Sequence, residues 1–99
     1  MKKLFISQPM RDKTDEEIQK EREEAFKVAK EKLGEDLELI DSFIDEAPSN
    51  ITSLWLIARS IELLGQADVV YFVDGWKKAR GCRIEHACAV EYDMDIIDD

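Results

Sequence analysis

Glu85 is the residue whose position in the sequence is best suited to chemistry. It follows the apolar run Val69–Val73 by one short connection and falls in the first turn of a predicted helix that begins near Gly81. Ligands of parallel α/β sheets bind outside the carboxyl ends of the strands. A carboxylate there can attack or stabilise a sugar carbon. The plainer interpretation is a glutamate that only complements the helix dipole.

A second candidate group is the loop after the first predicted strand, Lys2–Ser7. The loop begins at the Ser7 hydroxyl, carries the guanidinium of Arg11 and ends at a predicted helix N-terminus, whose unpaired amides favour an anion. These features predict a phosphate site. The alternative interpretation is a capped turn with a surface arginine, since no Gly-rich Walker or Rossmann sequence is present.

A metal site is not expected from the group Cys82, His86 and Cys88. Only Cys82 and His86 share a helix face, and a fourth ligand is missing. The two cysteines lie about 200° apart around a helix axis, so they cannot form a disulfide with each other. We expect free thiols in a reducing compartment, the cytoplasm, and no metal or other cofactor.

Composition limits the partners of the chain. The 99 residues form one predicted domain, with 44% hydrophobic and 37% charged residues. The net charge of -9 argues against a protein that binds nucleic acid through phosphates, whereas a small ligand is compatible with it. No apolar run approaches the roughly 20 residues that span a bilayer, and the N-terminal residues resemble a strand rather than a signal peptide. We therefore expect no membrane partner.

The elements that position these groups follow from periodicity and caps. Thr14–Glu17 is a capping-box sequence that opens a helix ended by Gly34. The run Leu37–Asp41 predicts a second strand, and the segment Ser42–Asn50 a loop. The predicted buried positions of the first helix are Ile18, Ala25, Ala29 and Leu33.

The second half of the chain repeats this alternation. A second helix, capped from the group Ser49, Asn50, Thr52 and Ser53, ends at Gly65, with a predicted buried stripe of Leu54, Ile57, Ala58, Ile61 and Leu64. The strand Val69–Val73 follows. The third helix has a predicted stripe of Ile84, Ala87, Cys88 and Tyr92, and Asp95–Asp98 predicts a fourth strand.

The alternation predicts an α/β three-layer sandwich. Its parallel sheet of about four strands would have the order 2-1-3-4, as in flavodoxin-like or Rossmann-like folds. Three loops would then meet at one edge of the sheet: Ser7–Lys13, Ser42–Asn50 and Asp74–Arg83.

Several sequence features together resemble the nucleoside 2-deoxyribosyltransferase superfamily, which includes the deoxynucleoside 5′-monophosphate N-glycosidases. They are LFISQPMR at the first strand, Ala-Asp before the apolar strand, and Gly81-x-x-x-Glu85-x-x-x-Ala89. LFISQPMR together with GW-x-x-ARGC-x-IEHA is similar to a small uncharacterised branch carried by phages and bacteria. The resemblance covers nearly the whole chain.

The resemblance implies roles for individual residues. Glu85 matches the nucleophile that attacks C1′ of deoxyribose, and Ser7 and Arg11 match the 5′-phosphate loop. Two positions that commonly carry Asp in the enzymes are Ser60 and Arg80 here, so Asp74 is the candidate acid or base. The substrate-binding candidates are Ser7, Gln8, Met10, Arg11, Ser60, Gly75, Trp76, Arg80 and Gly81, where Trp76 would stack on a nucleobase or form an oligomer contact.

The expected function is cleavage or transfer at the N-glycosidic bond of a deoxynucleoside or its monophosphate. The alternative is a non-catalytic nucleotide-binding or sensing module of the same fold. We also expect a homodimer or higher homo-oligomer, because Trp55, Leu56 and Leu63 would form an apolar patch outside the buried stripe of their helix. A loop from the segment Ser42–Asn50 folded over these residues is the alternative.

Overall fold

Four parallel strands form the central sheet in the computed structural model, which describes residues 1–42 and 49–98. The strands are β1 (Lys2–Ser7), β2 (Leu37–Leu39), β3 (Val69–Phe72) and β4 (Asp95–Asp98), in the order β2-β1-β3-β4. The helices are α1 (Asp15–Leu33), α2 (Ser53–Leu64) and α3 (Arg80–Glu91), with a 3₁₀ turn at Trp76–Lys78. The predicted fold class and strand order are confirmed.

The two faces of the sheet carry separate cores. Leu4 and Ile6 of β1 pack with Ala25 and Ala29 of α1. Phe5, between them in sequence, packs in a second cluster that contains Leu64 of α2 and Ala89 of α3. Because successive strand side chains point to opposite faces, β1 serves both layers and its residues 4–7 are all buried. The result is a Rossmann-like three-layer sandwich.

The N-terminal caps predicted for α1 and α2 are both present. The Thr14 side chain accepts a hydrogen bond from the Glu17 amide, and the Glu17 carboxylate accepts one from the Thr14 amide, both at 3.1 Å. Gly34, in a left-handed conformation with φ 66°, ends α1. In α2 the cap is Thr52, which accepts from the Trp55 amide at 3.0 Å. These local signals determine where each helix begins.

Two strands are shorter than predicted. β2 ends at Leu39 instead of Asp41, and β3 ends at Phe72 instead of Val73. The Val73 amide still donates to the Ser7 carbonyl at 3.0 Å, so the ladder loosens gradually at this edge. Residues 43–48 of the predicted loop Ser42–Asn50 lie outside the described residues.

The predicted stripe of α3 is wrong. Ile84, Ala87 and Tyr92 are exposed, Tyr92 by 81%. The buried face instead carries Cys82, Glu85 and Ala89, with Cys88 half-buried. The predicted stripe left out Glu85 because it counted only apolar residues as core.

The predicted stripe of α2 is wrong at its N-terminal end. Leu54 is 78% exposed and Ala58 is exposed, Ile57 and Ile61 are half-buried, and Leu64 is buried. Leu63, predicted to lie in an exposed patch, packs against the core. The helix therefore meets the sheet at its C-terminal end. Among the described residues, no helix is long and apolar enough to span a membrane.

Candidate active site

Glu85 lies inside the protein, with 6% of its surface exposed. It shares the buried face of α3 with Cys82 and Ala89, because steps of three and four residues return to the same side of a helix. This face meets the carboxyl end of β1, where Ser7 is the last strand residue and is 1% exposed. The helix therefore brings a carboxylate to the edge of the sheet where α/β folds bind ligands.

Two hydroxyl groups bind the two carboxylate oxygens of Glu85. Ser7 Oγ donates to Oε1 at 2.7 Å, and Ser60 Oγ donates to Oε2. The three residues come from β1, α2 and α3, so the packing of both helices on this face of the sheet assembles the group. The hydrogen bonds hold the carboxylate in one orientation.

The pKa of Glu85 is raised. Burial raises it, and the hydrogen bonds from Ser60 and Ser7 oppose the shift. No lysine or arginine among residues 1–42 and 49–98 forms an ion pair with this carboxylate. Such a group can act as a nucleophile when ionised and as an acid when protonated.

Cys82 is a neighbour of this group and a poor nucleophile. Burial raises the pKa of its thiol, a hydrogen bond with Ser7 lowers it, and the charge of Glu85 raises it further. The His86 ring stacks on Trp76, with centroids 4.0 Å apart. Within the described part of the chain, no cluster of His, Cys, Asp or Glu has the geometry to hold a metal ion.

Two adjoining clefts share part of their lining, and Glu85 lines one of them. The first, of about 600 Å³, contains Leu54, Leu56, Ile57 and Ile84 with Ser60 on its wall, and is called here the apolar cleft. The second, of about 710 Å³, contains Arg11, Lys78, Arg80 and Arg83 with Glu85 on its wall, and is called the cationic cleft. Residues 10, 11, 80 and 81 line both clefts. The site therefore has an apolar side, a carboxylate and a basic side.

Most of the residues predicted for the site lie around these clefts. Ser7, Ser60 and Glu85 form the hydrogen-bonded group; Met10, Arg11, Arg80 and Gly81 line both clefts; Gln8 and Gly75 line the cationic cleft. Asp74 is exposed and lines neither cleft. Trp76 also lines neither cleft, and its ring packs against the rings of Phe72 and His86.

Gln8 uses its amide to hold the loop after β1. Its Nε2 donates to the Ile18 carbonyl at 3.1 Å and to Glu21 Oε1 at 3.0 Å, and its Oε1 accepts from Arg22 Nε at 3.0 Å. Arg22 is 4% exposed, and burial lowers its pKa while Asp41 opposes the shift. The amide of Gln8 therefore positions the loop.

Sequence reasoning missed Arg22, Lys78 and Arg83. Arg22 follows Ile18 by four residues and precedes Ala25 by three, so it shares their buried face on α1. That spacing was visible, but an arginine is rarely counted as core. Lys78 belongs to a 3₁₀ turn whose orientation depends on tertiary packing, and the sequence carried no signal for it.

Comparison with known families identifies one match. The chain matches the model of a domain of unknown function, DUF4406, over residues 2–98. The searches against curated proteins and against solved structures each return no match.

Proposed function

The chain belongs to the DUF4406 family, and we propose that it cleaves or transfers at the N-glycosidic bond of a deoxynucleoside or deoxynucleoside monophosphate. One observation carries the proposal. A buried carboxylate, held by Ser7 and Ser60, lines a cationic cleft that shares four residues with an apolar cleft. A nucleotide has the matching order of groups: an apolar base, a sugar and an anionic phosphate.

The proposal assigns each part of the ligand to a surface. The base would occupy the apolar cleft, against Leu56, Ile57 and Ile84. The sugar would lie beside Glu85, and the phosphate would bind Arg11 and Arg80, which line both clefts near the junction. This arrangement agrees with the resemblance to the nucleoside 2-deoxyribosyltransferase superfamily, in which the glutamate that matches Glu85 attacks C1′.

The proposed step forms a bond between a Glu85 carboxylate oxygen and C1′ while the bond from C1′ to the base nitrogen breaks. The bonding electrons leave with the base, which takes up a proton. Water or a second base then attacks C1′ and releases the carboxylate. Ser7 and Ser60 contribute by fixing the orientation of the carboxylate, and attack requires its ionised form.

A second candidate function is a nucleotide-binding module without turnover. The lack of a second acid favours it, because Glu85 is the single carboxylate among the described residues that line the two clefts. Ser60 and Arg80 occupy positions where the resembling enzymes carry Asp. A departing base would then take its proton from water, because the ionised Glu85 that attacks C1′ carries none.

Base release is the direct test. The protein is incubated with a panel of deoxynucleosides and their monophosphates, and free base is measured by chromatography. We expect release by the parent and a loss of at least about a thousandfold in Glu85→Gln, since an amide cannot form the covalent intermediate. The matched control is Glu91→Gln on the exposed face of the same helix, which should keep full activity.

The two candidate functions predict different results in the base-release assay. Equal base release by parent and Glu85→Gln would remove Glu85 from the mechanism. No release by either protein, together with a ligand-dependent rise in melting temperature, would favour the binding module. No release and no rise with any nucleotide would contradict both.

A further inference from the structure

The cationic cleft holds more positive charge than a monophosphate requires. Arg11, Lys78, Arg80 and Arg83 line it, against the single carboxylate of Glu85. In the described part of the chain none of the four cations forms an ion pair with a carboxylate. Arg83 is also held in place, because its guanidinium donates to the Lys77 carbonyl at 3.0 Å.

This clustering is unusual for the chain as a whole. The protein has 23 acidic and 14 basic residues, and several of its other cations pair with acids: Lys2 with Glu35, Lys13 with Glu21, Lys30 with Asp36 and Arg59 with Glu62. Four cations around one cleft, with no carboxylate partner among the described residues, repel each other. An anionic ligand removes that repulsion.

The placement of two of these arginines adds to the unfavourable charge. Arg80 is the first residue of α3, Arg83 follows one turn later, and the first turn carries no acidic residue. The positive end of a helix dipole disfavours cations, so both side chains sit where a helix usually carries Asp or Glu. Stability alone does not explain two arginines at this position.

We propose that the cleft takes a nucleotide with two or three phosphates, a nucleoside 5′-diphosphate or triphosphate. A monophosphate carries about two negative charges at most, which leaves two of the four cations unmatched. A diphosphate adds a further negative charge, and a triphosphate comes closest to matching all four. This inference rests on the proposed function in taking the ligand to be a nucleotide, and it names the class of nucleotide.

The order of the cations along the site sets the order of the phosphates. Arg11 and Arg80 line both clefts and therefore lie near the junction where the sugar would bind. Lys78 and Arg83 line the cationic cleft and not the apolar one. The first phosphate thus contacts Arg11 and Arg80, and the outer phosphates contact Lys78 and Arg83. A volume of about 710 Å³ is within the usual range for a small-molecule site.

Binding measurements test this assignment independently of catalysis. Glu85→Gln protein, in which turnover is blocked, is titrated by calorimetry at low salt in EDTA. The ligands are a deoxynucleoside monophosphate, diphosphate and triphosphate of the same base. We expect the triphosphate to bind about ten- to a hundredfold more tightly than the monophosphate, because charge-assisted hydrogen bonds of this kind are strong.

Paired variants locate the outer phosphates. Lys78→Gln with Arg83→Gln should abolish the advantage of the triphosphate and change monophosphate affinity by less than about threefold, a residual effect of long-range charge. The matched control is Lys20→Gln with Lys27→Gln, two exposed positions on α1, which should leave the advantage intact.

Three results would overturn the inference. They are equal affinity for the three nucleotides, an advantage that persists in the Lys78/Arg83 variant, and inorganic tripolyphosphate binding as tightly as the nucleoside triphosphate. The base-release assay is separate. A protein that releases base from monophosphates but shows no phosphate-number dependence keeps the proposed function and loses this inference. A protein that binds triphosphates more tightly but releases no base supports this inference and contradicts the proposed activity.

Discussion

The position of Glu85 is better explained by chemistry than by stability. Transfer of an ionised carboxylate to the interior is unfavourable unless a cation or several donors compensate. Glu85 has two hydroxyl donors and, among the described residues, no cationic partner. An apolar residue at the same place would join Cys82 and Ala89 on the buried face of α3 at lower cost.

The first prediction concerns the pH dependence of stability in Glu85→Gln. Because the folded pKa of Glu85 is raised above its unfolded value, the parent loses unfolding free energy as pH rises from the unfolded pKa through the folded pKa. Glutamine does not titrate. The unfolding free energy of the variant minus that of the parent should therefore rise with pH across that window and stay constant at higher pH. Urea unfolding at a series of pH values from about 4 to about 8 measures the difference.

The control for this experiment is Glu91→Gln, an exposed glutamate on the same helix. Its unfolding free energy should follow that of the parent at every pH. A constant difference between Glu85→Gln and the parent over the whole range would mean that burial does not raise the pKa of Glu85. The chemical interpretation of its position would then lose its electrostatic support.

At the scale of elements, two glycines border the site and differ in backbone conformation. Gly75, in the turn after β3, has φ 93°, where a side chain is strained. Gly81, in the first turn of α3, has an ordinary helical backbone, and an added Cβ would meet Ile57 Cδ1 at 3.7 Å, a normal contact. Gly81 lines both clefts. A substitution at Gly75 therefore tests backbone strain, and a substitution at Gly81 tests the space available to a ligand.

The second prediction compares alanine at these two positions. Gly75→Ala should lose about 1–2 kcal/mol of unfolding free energy through strain. Gly81→Ala should lose none and gain up to about 1 kcal/mol, because alanine favours helix. Its nucleotide affinity should nevertheless fall, since the methyl group narrows both clefts. Chemical unfolding and nucleotide titration of each variant measure both effects, and unchanged affinity in Gly81→Ala would place the ligand away from α3.

Local chemistry made the strands, caps and layer order predictable. The Lys2–Ser7 run, the Thr14 capping box and Gly34 each specify their element within a few residues of sequence, and all are present. Parallel strands joined by right-handed crossovers then leave few possible sheet orders.

The polar residues on the buried helix faces could not be predicted in the same way. Glu85 is buried because Ser7 and Ser60, distant in sequence, bind it, and Arg22 is buried against Gln8. The periodicity of apolar residues cannot identify a buried polar side chain whose hydrogen-bond partners are distant in sequence. Sequence patterns are expected to fail in this manner at functional sites.

At the scale of the whole molecule, the apolar cleft leaves hydrophobic surface in water. Leu54 is 78% exposed, and Leu56 and Ile84 are each 38% exposed. Of the apolar patch predicted from the sequence, Leu56 is exposed, Trp55 is half-buried and Leu63 packs against the core, whereas Leu54 is exposed instead. We propose that a second copy of the chain covers this face in a symmetric homodimer, the commonest closed assembly. Such a partner would also shield the sugar beside Glu85 from water.

The third prediction is that Leu54→Glu produces a monomer. Size-exclusion chromatography with light scattering should give the parent a mass of twice 11.5 kDa, and the variant 11.5 kDa. A buried carboxylate at the centre of the interface would lack a partner. The expected loss of dimerisation free energy is several kcal/mol, about as large as that from removing a hot-spot residue. Base release should fall with the loss of the dimer, because a site open to solvent weakens the electrostatic interactions that hold the reacting groups.

The matched control is Gln19→Glu, which adds the same charge at an exposed position of α1, on the other face of the sheet. It should remain dimeric and active, so a loss of the dimer in Leu54→Glu alone assigns the interface to α2. A parent that stays at 11.5 kDa at high micromolar concentration contradicts the dimer. The apolar cleft would then have to bind its base without a partner subunit, and the exposed leucines would be ligand contacts. In that case Leu54→Glu should weaken nucleotide binding while the mass stays unchanged.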